Sequence, residues 1–191
     1  MPEKLSVRPL ILAVLCAGLA LAVLYVILSA PVHAPKPPDS LPRLVLAASP
    51  KAAPSVAFSD AAGRRHALSE FRGRTVLLNL WAPWCAPCVR ELPALARLSR
   101  SIPPSKLLVV AVDVGRGGPD DARAFLAGHG ASALSVYIDS DIALVRAFGA
   151  YGLPLTVVID PAGREIARSV GPGDWSAPDA VAYLKQLAST R

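Results

Sequence analysis

Two cysteines, Cys85 and Cys88, lie two residues apart inside WAPWCAPCVRELP, which runs from Trp81 to Pro93. A pair at this spacing can do three kinds of chemistry. It can cycle between dithiol and disulfide, supply two ligands to a metal, or close a small structural ring. A structural zinc site needs about four protein ligands. The one other thiol is Cys16, and His33, His66 and His129 stand at no ligand spacing. No metal and no separate cofactor is therefore expected. A ring closed over so short a loop constrains the unfolded chain little. Redox exchange is the use that fits the pair best, and its position in the chain strengthens that reading.

TVLLNLWA, residues 75–82, is a continuous apolar run rich in β-formers, which predicts a buried central strand. VRELPALARLSRSI after the cysteines places Leu92, Leu95, Leu98 and Ile102 on one side of a helix, with Arg90, Arg97 and Arg100 elsewhere. Pro93 inside it predicts a kink. The first cysteine then stands at a helix N-terminus, where unpaired N–H groups and the helix dipole favour a thiolate. Cys88 follows one turn later as the resolving thiol.

The remaining pattern supplies a scaffold. VAFSD is a strand, AAGRR a turn, and HALSEF a single helical turn. KLLVVAVDV, residues 106–114, is a second buried strand, and PDDARAFLAGHG a helix with acids near its start. SVYID is short and extended. SDIALVRAFGA is a helix, with Ser140 or Asp141 as its expected cap. LTVVID, PAGR and EIARSV form a strand–turn–strand hairpin, and APDAVAYLKQLA a terminal helix. Strands alternating with helices predict an α/β fold, a mixed central sheet with helices on both faces. The domain is placed at 55–191.

WAPWCAPC resembles the active site of thioredoxin-fold proteins, in particular the membrane-anchored periplasmic branch that includes TlpA, ResA and CcmG. The resemblance extends over nearly all of Ser55 to Ser189 and implies a thioredoxin-like fold. It also implies roles. Cys85 attacks, Cys88 resolves, Trp84 flanks the nucleophile, and Pro93 kinks the helix. In YGLPLTVVID, Pro154 matches the cis-proline that such proteins place opposite the cysteine pair. It would expose the Leu153 backbone for strand-like pairing with substrate. Asn79 stands where cytoplasmic thioredoxins carry a buried Asp, and it cannot take a proton. Glu91 matches the acid after the cysteine pair in the ResA-like branch, and implies a proton acceptor for Cys88; the alternative is a surface helical Glu. The tail GPGDWSAPDAVAYLKQL resembles the end of TlpA, with Trp175 read as packing.

Residues 10–30 carry no charge and at 1.5 Å per residue span roughly 30 Å, a bilayer core. This is longer than the usual signal-peptide core of about 7–15 residues, and Pro31 and Pro35 disfavour cleavage, so retention as a transmembrane anchor is expected. Leu15 makes Cys16 a poor lipidation site. Lys4 and Arg8 precede the span, which puts 1–9 in the cytoplasm and the rest of the chain in the bacterial periplasm. Residues 31–54 hold seven prolines and read as a periplasmic linker, in which LPRLVLAAS is the piece that could instead be ordered against the domain.

The net charge is +6, and without Lys4, Arg8 and Glu3 it is +5, from 18 basic and 13 acidic residues. These charges are dispersed, so no nucleic-acid partner is expected. The expected partners are protein disulfide substrates and a transmembrane thiol electron donor, acting on a membrane-anchored monomer. The resemblance implies a reductant. Its targets are proteins of cytochrome oxidase copper-site assembly in the TlpA-like branch, or apocytochrome c in cytochrome c maturation in the ResA and CcmG branch. GAYGLPLT lacks the Glu that ResA and CcmG proteins often carry after the proline, which favours the first. A different class, the Sco-like copper metallochaperone, uses wider Cys spacing and a distal His. A peroxiredoxin needs a Thr near its attacking Cys, and none stands there.

Overall fold

The computed structural model describes residues 16–19, 21, 25 and 36–189. Its eight strands form one sheet in the order β1-β8-β7-β4-β5-β6-β2-β3. The centre is β4 (Thr75–Trp81), flanked by β5 (Leu107–Asp113), parallel to it, and β7 (Leu155–Ile159), antiparallel to it. Every residue of β4 and β7 is buried, as continuous β-branched and leucine runs require when both faces of a sheet are covered. β8 (Arg164–Val170) pairs antiparallel with β7, and β6 (Tyr137–Ile138) parallel with β5. The hairpin of β2 (Ala57–Asp60) and β3 (Arg65–Ala67) closes the far edge, followed by a 3-10 turn at Leu68–Phe71.

Three helices join these strands, α1 (Ala86–Ser101), α2 (Pro119–Gly128) and α3 (Ala143–Ala147), and α4 (Pro178–Ser189) follows the last strand. α1 buries Leu92, Leu95 and Leu98, the apolar side read from the sequence. It runs unbroken through Pro93, which removes one N–H from its ladder. The two reverse turns DAAGR and DPAGR are built alike. Asp60 and Asp160 each accept the N–H of the arginine four residues on, and Gly63 and Gly163 adopt positive φ.

Two expectations are corrected. The linker does not extend to Pro54, nor does the domain begin at Ser55. β1 (Leu44–Ala52) pairs antiparallel with β8 as an edge strand, Leu41 and Leu44 are buried, and the compact unit starts at Lys36. Pro50 is tolerated because it falls where the register breaks, between Leu46 and Lys51, on an edge that needs no donor there. The cap of α3 is neither Ser140 nor Asp141. Asp139 accepts the N–H of Ala143 at 3.1 Å and of Leu144 at 2.7 Å, while Ile142 adopts a left-handed φ of 48°.

No helix among the described residues is long and apolar enough to cross a membrane. The expected span at 10–30 lies largely outside them. Its described residues, 16–19, 21 and 25, are helical and exposed.

Candidate active site

β4 ends at Trp81, and the chain turns through Ala82–Trp84, where the Cys85 N–H donates to the Ala82 carbonyl at 3.0 Å. Cys85 is the N-cap of α1, with extended backbone. Pro87 sits in the first turn, where its missing N–H costs nothing. The Cys88 N–H donates to the Cys85 sulfur at 3.3 Å, so that sulfur lies at the positive end of the helix. The two cysteines are joined, S–S 2.04 Å. Cys85 keeps 5% of its surface exposed and Cys88 none. Of the two sulfur-bearing residues, Cys85 is thus the one an incoming disulfide can reach, with Cys88 behind it.

Glu91 stands three residues after Cys88, on the same side of the helix. It is not a surface residue; only 3% of it is exposed. Its Oε1 accepts from the Asn79 side-chain amide at 2.8 Å, and its Oε2 from the Gly173 N–H and the Trp175 indole N–H, each at 3.1 Å. The same Asn79 nitrogen donates to the Thr156 hydroxyl at 2.9 Å. Burial pushes the Glu91 carboxyl up to about 7, and the three hydrogen bonds only partly offset it. A carboxyl poised there can take a proton from a thiol and give it back near neutral pH.

The Leu153–Pro154 bond is cis. The β4–β7 register pairs Leu80 with Leu155, which sets Pro154 level with Trp81, the last residue before the active-site turn. Pro154 is buried and its carbonyl accepts from Gly171 at 2.8 Å. The Leu153 N–H and carbonyl carry no hydrogen bond from the described residues, which leaves them open to an extended partner. Trp84, 72% exposed, and Leu153 line one groove of about 290 Å³ with Ile142, Val145 and Tyr151. Trp84, Leu153 and the cysteine turn thus share one end of the sheet.

Four further residues belong to the site. Asn79, Gly173 and Trp175 donate to the Glu91 carboxyl, and Thr156 accepts from Asn79. Trp175 is fully buried as packing demands, yet it also donates to Glu91. Asn79 takes no proton, but it holds the group that can. Nothing in GPGDW signals this, because the contact joins residues 84 positions apart in the chain. A second buried carboxyl, Asp113, ends β5 opposite Trp81; burial raises it, and its Oδ1 accepts the Gly115 N–H at 2.7 Å.

Comparison with known proteins agrees with this geometry. The Redoxin family model matches residues 48–184. The chain is 30% identical over 135 residues to the thiol-disulfide oxidoreductase ResA of Geobacillus thermodenitrificans, covering 71% of this chain and 75% of that protein. It is 35% identical over 100 residues to the thiol:disulfide interchange protein HelX of Rhodobacter capsulatus, covering 52% and 54%. Among solved structures, one assigned as the thiol:disulfide interchange protein DsbE of Chlorobium tepidum superposes with a TM-score of 0.62 at 28% identity, covering 73% of this chain and 99% of that one.

Proposed function

The chain belongs to the Redoxin family, as a thiol-disulfide oxidoreductase of the ResA and CcmG type, and we propose that it is a membrane-tethered periplasmic reductant of protein disulfides. The observation that carries this is the placement of Cys85 at a helix N-terminus with Cys88 and a buried, proton-ready Glu91 behind it. The uncharged stretch at 10–30, with basic residues before it, supports the tether and the periplasmic side.

The reaction begins with the reduced pair. The Cys85 thiolate attacks one sulfur of the substrate disulfide, and the other substrate sulfur leaves and is protonated. Glu91 takes the Cys88 proton, and the Cys88 thiolate attacks the Cys85 sulfur. The second substrate sulfur leaves as a thiolate and collects a proton. One disulfide is broken in the substrate and one is formed between Cys85 and Cys88. Trp84 and the Leu153 backbone hold the substrate segment, and no cofactor beyond the cysteine pair takes part. A transmembrane thiol donor returns two electrons to the pair.

The proposed substrates are proteins of cytochrome oxidase copper-site assembly, because Leu155 replaces the acidic residue after Pro154. A second reading, apocytochrome c, is favoured by the similarity to ResA. Cys85→Ser should abolish reduction of a test disulfide such as that of insulin, and Cys88→Ser should accumulate mixed disulfides. Full activity in Cys85→Ser overturns the mechanism. Alkylation of Cys85 and Cys88 in intact cells reads the direction: a mostly reduced pair marks a reductant, a mostly oxidised one refutes it. The partner trapped by Cys88→Ser separates the two substrate readings.

A further inference from the structure

The Asn79 side chain is fully buried and unevenly used. Its nitrogen donates twice, to Glu91 Oε1 and to the Thr156 hydroxyl, while its Oδ1 has no partner. That arrangement suits an ionised Glu91, which only accepts hydrogen bonds.

A protonated Glu91 has different needs. Its proton has no place on Oε2, which faces the Gly173 and Trp175 N–H groups, and neither can become an acceptor. It must sit on Oε1, whose one neighbour is the Asn79 amide. Left as it stands, that amide offers N–H to O–H, and two buried groups go without partners: the carboxyl hydrogen and Asn79 Oδ1. Turned through half a revolution, the amide presents Oδ1 to the Glu91 hydroxyl. The Thr156 hydroxyl, free to rotate, then donates to the same oxygen. The turned amide pairs both the carboxyl hydrogen and Oδ1 and removes the N–H to O–H clash, while the two N–H of the Asn79 nitrogen go idle.

We propose that the Asn79 amide turns end for end as Glu91 gains or loses a proton, making Asn79 the positioning residue that lets a buried carboxyl hold both states. This rests on the reading of Glu91 as the proton acceptor. In the forward step the Cys88 thiol gives its proton to Glu91 Oε1, leaving a thiolate and a neutral acid, and the amide follows. An Asp at this position would add a second titrating group beside the first; an amide serves both states without taking a proton itself.

The groups facing Glu91 simplify the test. From β4 it meets Asn79, from β7 it is reached through Thr156, and from the loop after β8 it meets Gly173 and Trp175, all uncharged. Asp174 between those two is exposed and accepts instead from Ser176. Arg90, beside it on α1, is exposed. The remaining titratable neighbour is the Cys88 thiol, which is absent from the disulfide form.

The experiment uses the oxidised full-length chain in detergent micelles, labelled so that NMR follows the Glu91 carboxyl carbon and both Asn79 side-chain N–H protons from pH 5 to 9. As pH falls, both protons should lose their hydrogen-bonded shift together, at the midpoint of the carboxyl carbon. In Glu91→Gln, whose carboxamide copies the protonated acid, both should sit at the low-pH wild-type position at every pH. If the proton bound to Thr156 stays in place while the other responds, the amide does not turn, and Glu91 stands alone as the acceptor. If Asn79 in Glu91→Gln keeps the high-pH position, the proposal fails equally. A Glu91 carbon that does not titrate in this range overturns the turning amide and the acceptor together.

Discussion

Carboxyls at two places in the fold, the active site and the β2–β3 edge, are shifted in opposite directions. At the active site Glu91 is met by three neutral donors, and burial pushes it up to about 7. At the β2–β3 edge, Asp60 and Glu70 flank the buried ring of His66. Asp60 Oδ2 lies 3.0 Å from one ring nitrogen and Glu70 Oε2 3.0 Å from the other. Both contacts are hydrogen bonds only when both nitrogens carry hydrogen. The His66 contact holds Asp60 well below the usual carboxylate range, and the Ala67 N–H, then His66, lowers Glu70. Phe58, Phe71 and Tyr137 ring the imidazole. Neutral donors in a dry site leave a carboxyl free to exchange its proton near pH 7, whereas hydrogen bonds to carboxylates that water still reaches hold them as anions. The first arrangement suits chemistry, the second suits structure.

The largest test of that contrast is Glu91→Gln. Loss of a positioned base should slow resolution of the mixed disulfide on the order of 10²-fold near pH 7. Wild-type rates should rise as pH passes through about 7 while the variant's do not. His66→Leu, by contrast, should leave the rate at pH 7 unchanged. A slow His66→Leu would mean that the two regions are coupled.

Stability should separate the regions by sign. Glu91 has a folded pKa above its unfolded value, so its contribution is fully present below about 4.5 and is lost as pH rises toward about 7. Above that, Glu91→Gln should be more stable than wild type in the oxidised form, by up to about 3 kcal/mol, and near pH 4 the two should unfold alike. Asp60 and Glu70 have lowered values. Their contribution is present above 3.8 and 4.5 and is lost as pH falls below them. Denaturant titration across pH 3–8 reads both slopes, and Asp60→Asn should flatten the acid side alone. His66→Leu should lower Tm by about 5 °C at neutral pH, since it leaves two carboxylates facing an apolar side chain.

The contrast was unevenly legible in the sequence. Local signals carried the cysteine pair, because a helix start after a buried strand is written in consecutive residues. They also carried most strands and helices, since apolar runs and periodicity report burial directly. The edge strand at Leu44–Ala52 was masked by prolines, whose effect depends on whether a neighbouring strand needs the missing N–H. Glu91 could be named by its resemblance to the acid after the cysteine pair in the ResA-like branch but not located, because a charged residue on a helix is exposed by default. Its partners Asn79, Gly173 and Trp175 come from two other segments of the chain. The His66 cluster was invisible for the same reason: HALSE reads as a helical turn until the hairpin brings Asp60 to it.

Trp175→Phe gives the smallest and sharpest separation. The indole N–H is one of two donors to Glu91 Oε2, and Phe keeps the apolar body that fills the site while removing that donor. A donor to the carboxylate stabilises the ionised form, so its loss should raise the Glu91 midpoint further above 7, by about half a unit to one unit. The pH profile of disulfide reduction should move to the alkaline side by the same amount, with its plateau rate kept. If Trp175 were packing alone, the substitution would change stability and leave the midpoint where it is. At the other carboxyl pair nothing should move, because no part of the Trp175 contact reaches His66.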